Sequence, residues 1–253
     1  MSCRLIVESE PRPGIWNMAF DEALLEAASR RNESILRLYR WSEPTLSLGY
    51  FQKTVPPELP RALHLLPQVR RLSGGGAILH HFEWTYSCAI PRTHPIAQNT
   101  EYLYEVVHGA IIRALGSLHV HASLRGDSTR GEAFLCFLRG DARDVIVAKQ
   151  KVAGSAQRRR RGAVLQHGSL LLKKSDFASA VPGLVDLAPE LAYDPWLGAE
   201  EFVSAISPTL FNESPAENVH PEDLKMAAKL LGEYEPTSSS ASCSTGRDLT
   251  DAR

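Results

Sequence analysis

Few cysteines, no long apolar run and almost no net charge set the first limits on this chain of 253 residues. Cys3, Cys88, Cys136 and Cys243 are scattered without a CxxC pair, so neither a zinc site nor a disulfide framework is indicated. No stretch approaches the ~20 apolar residues that a membrane helix needs. The apolar run after Arg4 is broken by Glu8, Pro11 and Pro13, too short for a signal-peptide core. A reducing cytoplasm is the simplest setting for such a chain, and it keeps thiols free. A formal net charge of −1 argues against nucleic-acid binding driven by bulk charge and leaves Arg158 to Arg161 as the one strong local basic run. The triple glycine Gly74 to Gly76 fits neither GxGxxG nor the P-loop pattern, so it supports no dinucleotide or nucleotide fold of those kinds.

What is present reads as one main domain over residues 1–235, followed by a tail, 236–253, that lacks apolar periodicity and is expected to be disordered. Residues 3–7 read as a strand. Residues 16–31 carry apolar groups at Trp16, Phe20, Ala23, Leu24 and Ala27, the pattern of an amphipathic helix, with Asn17 as its expected N-cap. Two strand-like runs, 35–41 and 45–51, are joined at Ser42-Glu43-Pro44 by a hairpin or a tight corner. A strand ending at Leu72 is expected to turn at the glycines and return through Trp84 and Tyr86. A second helix spans 100–118 and stops near Gly116, its His108 reading as a packing or surface group. Further strands run to Leu172, and helical patterns recur at 199–211 and 221–231. Strands and helices interleave without a regular βαβ period, which suits a mixed α/β (α+β) fold.

Two stretches carry chemistry. In residues 136–169 a cysteine precedes Lys151 by fifteen positions, and a cysteine attacks carbonyl carbon only as its thiolate, which a nearby ammonium favours. The sequence does not show whether Cys136 and Lys151 meet. Cys136 also reads as a buried core thiol, and Lys151 as a solvated surface lysine. The glycines at 74–76 read either as a flexible turn or as a wall against which an acyl, phosphate or pantetheine group lies close. The small residues Gly154, Ser155 and Ala156 invite the same close approach.

Taken together, RRLSGGGAILHHFEWTYS and KVAGSAQRRRRGAVLQHGSLLL resemble the lipoate-protein ligase and octanoyltransferase family, with its paired-arginine, triple-glycine motif and its KxxGSAQ motif. NMAFDEALL at 17–25 and LRLYRWSEPTLSLGYFQ at 36–52 look like the same family's N-terminal region. Cys136-Phe137 ahead of Lys151 resembles the octanoyltransferases of Gram-positive bacteria, the LipM type. The resemblance implies a biotin/lipoate protein ligase catalytic fold, a mixed, largely antiparallel sheet flanked by helices. It implies transfer of an octanoyl group from acyl carrier protein to a lysine of a lipoyl domain or glycine-cleavage H protein, with no cofactor. It implies Cys136 and Lys151 as catalytic residues, and Arg71, Gly74, Gly75, Gly76, Ala77, His80, Gly154, Ser155, Ala156, Gln157, His167 and Gly168 around the substrate, with no metal. The residues after Cys136-Phe137 depart from the relatives' pattern, and Asp144 stands in for their acidic residue. Two rivals remain at this point. An ATP-dependent ligase would make Cys136 a bystander, and a non-catalytic carrier-binding module would keep the fold and the basic run, Arg158 to Arg161, as a docking patch for acidic carriers.

Overall fold

The structure, a computed structural model, describes residues 2–128, 131, 133–211 and 214–234. The expected tail and Cys243 lie outside them. Two sheets organise the chain. The larger holds β1 (Cys3–Val7), β2 (Ser34–Tyr39), β6 (Glu83–Pro91), β7 (Ala122–Leu124), β8 (Val145–Val147), β9 (Gln150–Arg160) and β10 (Ala163–Leu171), in the spatial order β1-β2-β6-β10-β9-β8-β7. Only β1 and β2 run parallel; the other neighbours are antiparallel. The smaller sheet is β4 (Gln68–Arg70), β3 (Thr45–Leu48) and β5 (Ile78–His80), with β3 in the middle.

Helices α1 (Gly14–Arg31) and α6 (Pro221–Tyr234) cover one face of the large sheet, and α3 (Thr100–Ser117) and α5 (Ala199–Leu210) cover the other. Two single-turn helices, α2 (Arg61–His64) and α4 (Leu184–Leu187), complete the set. The period of two along a strand explains how both faces become apolar. On β2, Ile35 and Tyr39 pack toward α1 while Leu36 and Leu38 pack toward α3, and on β10 Leu165 and Val164 divide in the same way. Among the described residues no helix is long and apolar enough to cross a membrane.

Several local expectations are corrected. Asn17 is not a cap: α1 begins at Gly14, and the buried Asn17 amide donates to Arg12 O and Arg40 O while its Oδ1 accepts from Arg37. Nor is α1 amphipathic in the simple sense, because its polar residues Asp21 and Glu22 are also buried, Asp21 bonded to the fully buried Arg37 and to Tyr39. Serine-Glu-Pro at 42–44 is a corner between sheets rather than a hairpin, since β2 and β3 belong to different ones. The glycine turn does not fold two strands onto each other, because β4 and β5 flank β3 and β6 lies in the large sheet. The helix expected over 100–118 is present as α3, ending at Ser117, and Asn99 caps its start by accepting from Glu101 N at 2.8 Å.

Candidate active site

Cys136 opens a short 3-10 turn, Cys136–Leu138, and the residues before it lie along the exit of the glycine turn. Ala77 N donates to Phe134 O at 3.0 Å and Cys136 N donates to Ala77 O at 2.7 Å, so the glycines and the cysteine are knitted by backbone bonds. Lys151 arrives from the other side. It sits at the start of β9, which folds back from β8 through Ala148 and Lys149, both in the left-handed region that a tight two-residue turn requires. Its Nζ lies 3.7 Å from Cys136 Sγ, 3.5 Å from Cys136 O and 2.8 Å from Asp144 Oδ1. The structure thus brings the two groups together.

Lys151 and Asp144 are both buried. Burial pushes the Asp144 carboxyl upward, and the Lys151 ammonium pulls it back. Asp144 also accepts from Asp141 N at 2.8 Å, which fixes its second oxygen. Glycine at 154 leaves room for the Lys151 head in this position, because a methyl group on it would stand 2.6 Å from Lys151 Cε and 2.9 Å from Nζ. Gly168 is equally confined across the ladder, where a methyl would strike Gly154 O, Tyr86 Oη and Ser155 Cβ.

A cavity of about 310 Å³ opens beside this pair, lined by Gly75, Gly76, Cys136, Lys151 and Ser155 of the expected site, and by Tyr104, His108, Arg139 and Asp144. His108 corrects the surface reading: it is buried. Its Nδ1 faces Arg143 O, which can only accept, so the proton sits on Nδ1 and Nε2 accepts from the Ser155 hydroxyl at 2.7 Å. Burial pushes the His108 imidazole down to about 4, keeping it neutral. Helical spacing alone gave no signal for this role, since His108 lies in no motif.

The remaining expected residues sit elsewhere. Arg71, His80, Ala156, His167 and Gly168 border a separate small void of about 20 Å³ with Tyr39 and Trp41. His80 is held between Glu83 Oε1 and Ser47 Oγ, each at 2.6 Å, and stacks on Trp41 at 3.7 Å; burial lowers its basicity. His167 is held between Ser73 Oγ and Asp21 Oδ2. Arg71 grips the glycine turn from beneath, donating to Gly74 O, Gly76 O and Ser47 O, with burial lowering its guanidinium to about 10. Ala77 borders a third hollow with Leu135 and Phe137, Gly74 lies under the Phe51 ring, and Gln157 donates to Gln166 Oε1 at 2.7 Å. Among the described residues no cluster of His, Cys, Asp and Glu could hold a metal ion. Cys3 and Cys88 are buried, and burial pushes the Cys88 thiol well up, which leaves Cys136 as the accessible thiol among the described residues.

The basic run is less free than expected. Arg160 pairs with Glu22 and Arg161 with Glu26, both on α1, and Arg159 donates to Ala97 O at 2.8 Å. Only Arg158 of the four is without an acidic or carbonyl partner among the described residues, lying over the Tyr50 ring at 4.8 Å.

The mixed, largely antiparallel sheet flanked by helices has the fold of lipoate-protein ligase catalytic domains. The family model for the lipoyl protein ligase A/B catalytic domain matches residues 13–184, and the chain belongs to that family. Among its relatives is octanoyltransferase LipM of Oceanobacillus iheyensis, 36% identical over 171 residues that make up 66% of this chain and 63% of that protein. LipM of Geobacillus kaustophilus is 36% identical over 178 residues, covering 66% and 64%. The match thus spans a little under two thirds of the relatives' length. Lipoate-protein ligase A bound with ATP superposes with a TM-score of 0.71 at 21% identity, over 92% of this chain and 95% of that one. The bi-partite lipoate protein ligase of Thermoplasma acidophilum, studied with its E2 lipoyl domain, gives 0.68 at 20% identity, over 92% and 93%. These likenesses establish the fold.

Proposed function

We propose that the protein is an octanoyltransferase that moves an octanoyl group from acyl carrier protein to a lysine of a lipoyl domain or glycine-cleavage H protein, through a thioester on Cys136 and without ATP. The observation that carries this reading is the placement of Lys151 Nζ 3.7 Å from Cys136 Sγ at the edge of a cavity walled by glycines. The identity to LipM octanoyltransferases supports it.

In the first half-reaction the Cys136 thiolate, favoured by the adjacent ammonium, attacks the thioester carbonyl. The tetrahedral intermediate expels the pantetheine thiolate, which takes up a proton, and the octanoyl group remains on sulfur. In the second half-reaction the neutral amine of the acceptor lysine attacks that thioester. The amide forms, the amine gives up a proton, and the Cys136 thiolate is released. Asp144 holds the Lys151 ammonium in place through both steps. Arg71 draws Gly74 O and Gly76 O inward, so the Gly75 N–H, antiparallel to Gly74 O across one peptide plane, faces away from the guanidinium. Among the described residues that N–H has no acceptor, which suits it to meet developing negative charge. Residues 1–235 form one catalytic unit in this reading, and a reducing cytoplasm keeps the thiol free.

The test is direct. The pure protein, incubated with octanoyl carrier protein in the absence of ATP, is weighed intact. A mass gain of one octanoyl group that disappears in Cys136→Ala is expected. Transfer to a lipoyl domain that strictly requires ATP, with no acyl group on cysteine, overturns the reading in favour of a ligase.

A further inference from the structure

The turn after β3 carries an exposed aromatic pair in a place where the fold does not need one. Phe51 is 83% exposed and Tyr50 44%, with their rings edge to face at 5.1 Å. The turn itself is firmly built: Tyr50 N donates to Ser73 O at 2.9 Å, Gly49 N donates to Gln52 Oε1 at 2.9 Å, and Gly49 packs so tightly on Gly75 O that it admits no side chain. Phe51 therefore stands on a rigid support directly over Gly74, and the next two glycines line the Cys136 cavity. Solvating a large ring at 83% exposure has no folding benefit, whereas rigid aromatics are favoured anchors at interfaces.

Cations stand on and beside the same turn. Arg158 lies over Tyr50, and its Nε is buried without a partner. Arg70 donates to Lys53 O at 2.9 Å and to Gly49 O, and Lys53 is exposed. Among the described residues none of the three enters an ion pair, in contrast to Arg160 and Arg161, whose charges are met by Glu22 and Glu26. Positive charge without an acidic partner thus stands beside Tyr50 and Phe51, next to the glycine turn that borders the cavity, whereas Arg160 and Arg161 farther along the run are neutralised.

We infer that Tyr50, Phe51, Lys53, Arg70 and Arg158 form the docking surface for the acceptor, an acidic lipoyl domain whose lysine enters the cavity beside them. The inference rests on the proposed acyl transfer. Charge complementarity selects an acidic partner. Reach selects the acceptor over the donor: a lysine amine hangs on a four-carbon stem, so the body of its domain must sit on the rim itself, whereas a pantetheine thioester extends on a long arm and its carrier can dock farther out.

The experiment compares the parent with Phe51→Ala/Lys53→Glu/Arg158→Glu. Both are charged with octanoyl groups from octanoyl-N-acetylcysteamine, then mixed with an unmodified lipoyl domain or with Nα-acetyl-lysine amide. The variant should transfer to the small amine within about twofold of the parent, react with the domain at least tenfold more slowly, and show a flatter dependence of that rate on salt. Equal rates with the domain overturn the inference, as does a variant slowed only in acylation by octanoyl carrier protein, which would give the surface to the donor. Should the triple variant lose small-amine transfer too, Phe51→Ala and Lys53→Glu alone decide by the same comparison. If the parent forms no octanoyl-enzyme, the proposed function fails instead. Titration calorimetry of the lipoyl domain against parent and variant still judges the surface: about tenfold weaker binding supports it, and equal binding refutes it.

Discussion

Replacing Lys151 tests the electrostatic part of the account, but only if its partner is replaced as well. Lys151→Met alone would strand the Asp144 carboxylate in the interior, and breaking a buried pair in this way costs about 3–5 kcal/mol. The informative protein is therefore Lys151→Met/Asp144→Asn, which keeps the volumes and leaves no unpaired charge. A cation about 4 Å from a thiolate attracts it by about 4 kcal/mol at an effective dielectric constant of 20, an upper bound because Asp144 offsets part of the field. Even a third of that corresponds to about a tenfold change in the rate at which the sulfur attacks, since about 1.4 kcal/mol is one power of ten. Iodoacetamide alkylation of Cys136, followed by mass spectrometry, should be at least tenfold slower at pH 7 in the double variant. Alkylation as fast as the parent's would refute the pairing as the source of reactivity.

Gly154→Ala should fold yet lose most Cys136 alkylation and acyl transfer, because the new methyl would stand 2.6 Å from Lys151 Cε and push the ammonium aside; unchanged rates would show that the ammonium's position is unimportant. Gly75→Val should stay folded and lose transfer, since φ of +96° is strained for any side chain, while space toward Arg71 is not limiting; full activity would return the turn to a mere connection. His108, pushed down from 6.5 to about 4 by burial, binds a proton in the unfolded chain but not in the folded one between those values. Stability should therefore fall as pH drops from 6.5 toward 4, by up to about 1.4 kcal/mol per unit, and His108→Gln should flatten that slope in thermal denaturation; an unaltered slope would place the loss elsewhere.

The large elements were legible because their signals are local. Apolar periodicity marked α1, α3, α5 and α6, and β-branched or aromatic runs marked β2, β6 and β8. Pairing across distance was not legible. That β3 and β4 leave the main sheet depends on contacts no single segment records, and Asn17 looks like a cap until Arg12 O, Arg40 O and Arg37 are brought to it. The site shows the same division. Motifs marked Cys136, Lys151 and the glycines, but their meeting depends on a hairpin through Ala148 and Lys149, neither of which is a residue that announces a left-handed turn. His80 and His167 belong to motifs yet face the small void rather than the cysteine cavity, whereas His108, outside every motif, borders that cavity. The pairing of Arg160 and Arg161 with α1 likewise spans more than 130 positions and leaves no local trace.

The central claim is that the octanoyl group rests on Cys136 on its way to a lysine. The octanoyl-enzyme, freed of donor by gel filtration and mapped to the Cys136 peptide, is mixed with a lipoyl domain in a single turnover without ATP. The account predicts that the label leaves Cys136 and appears on the domain's lysine at matching rates. An acyl group that stays on the enzyme, or moves only when ATP is added, would contradict it.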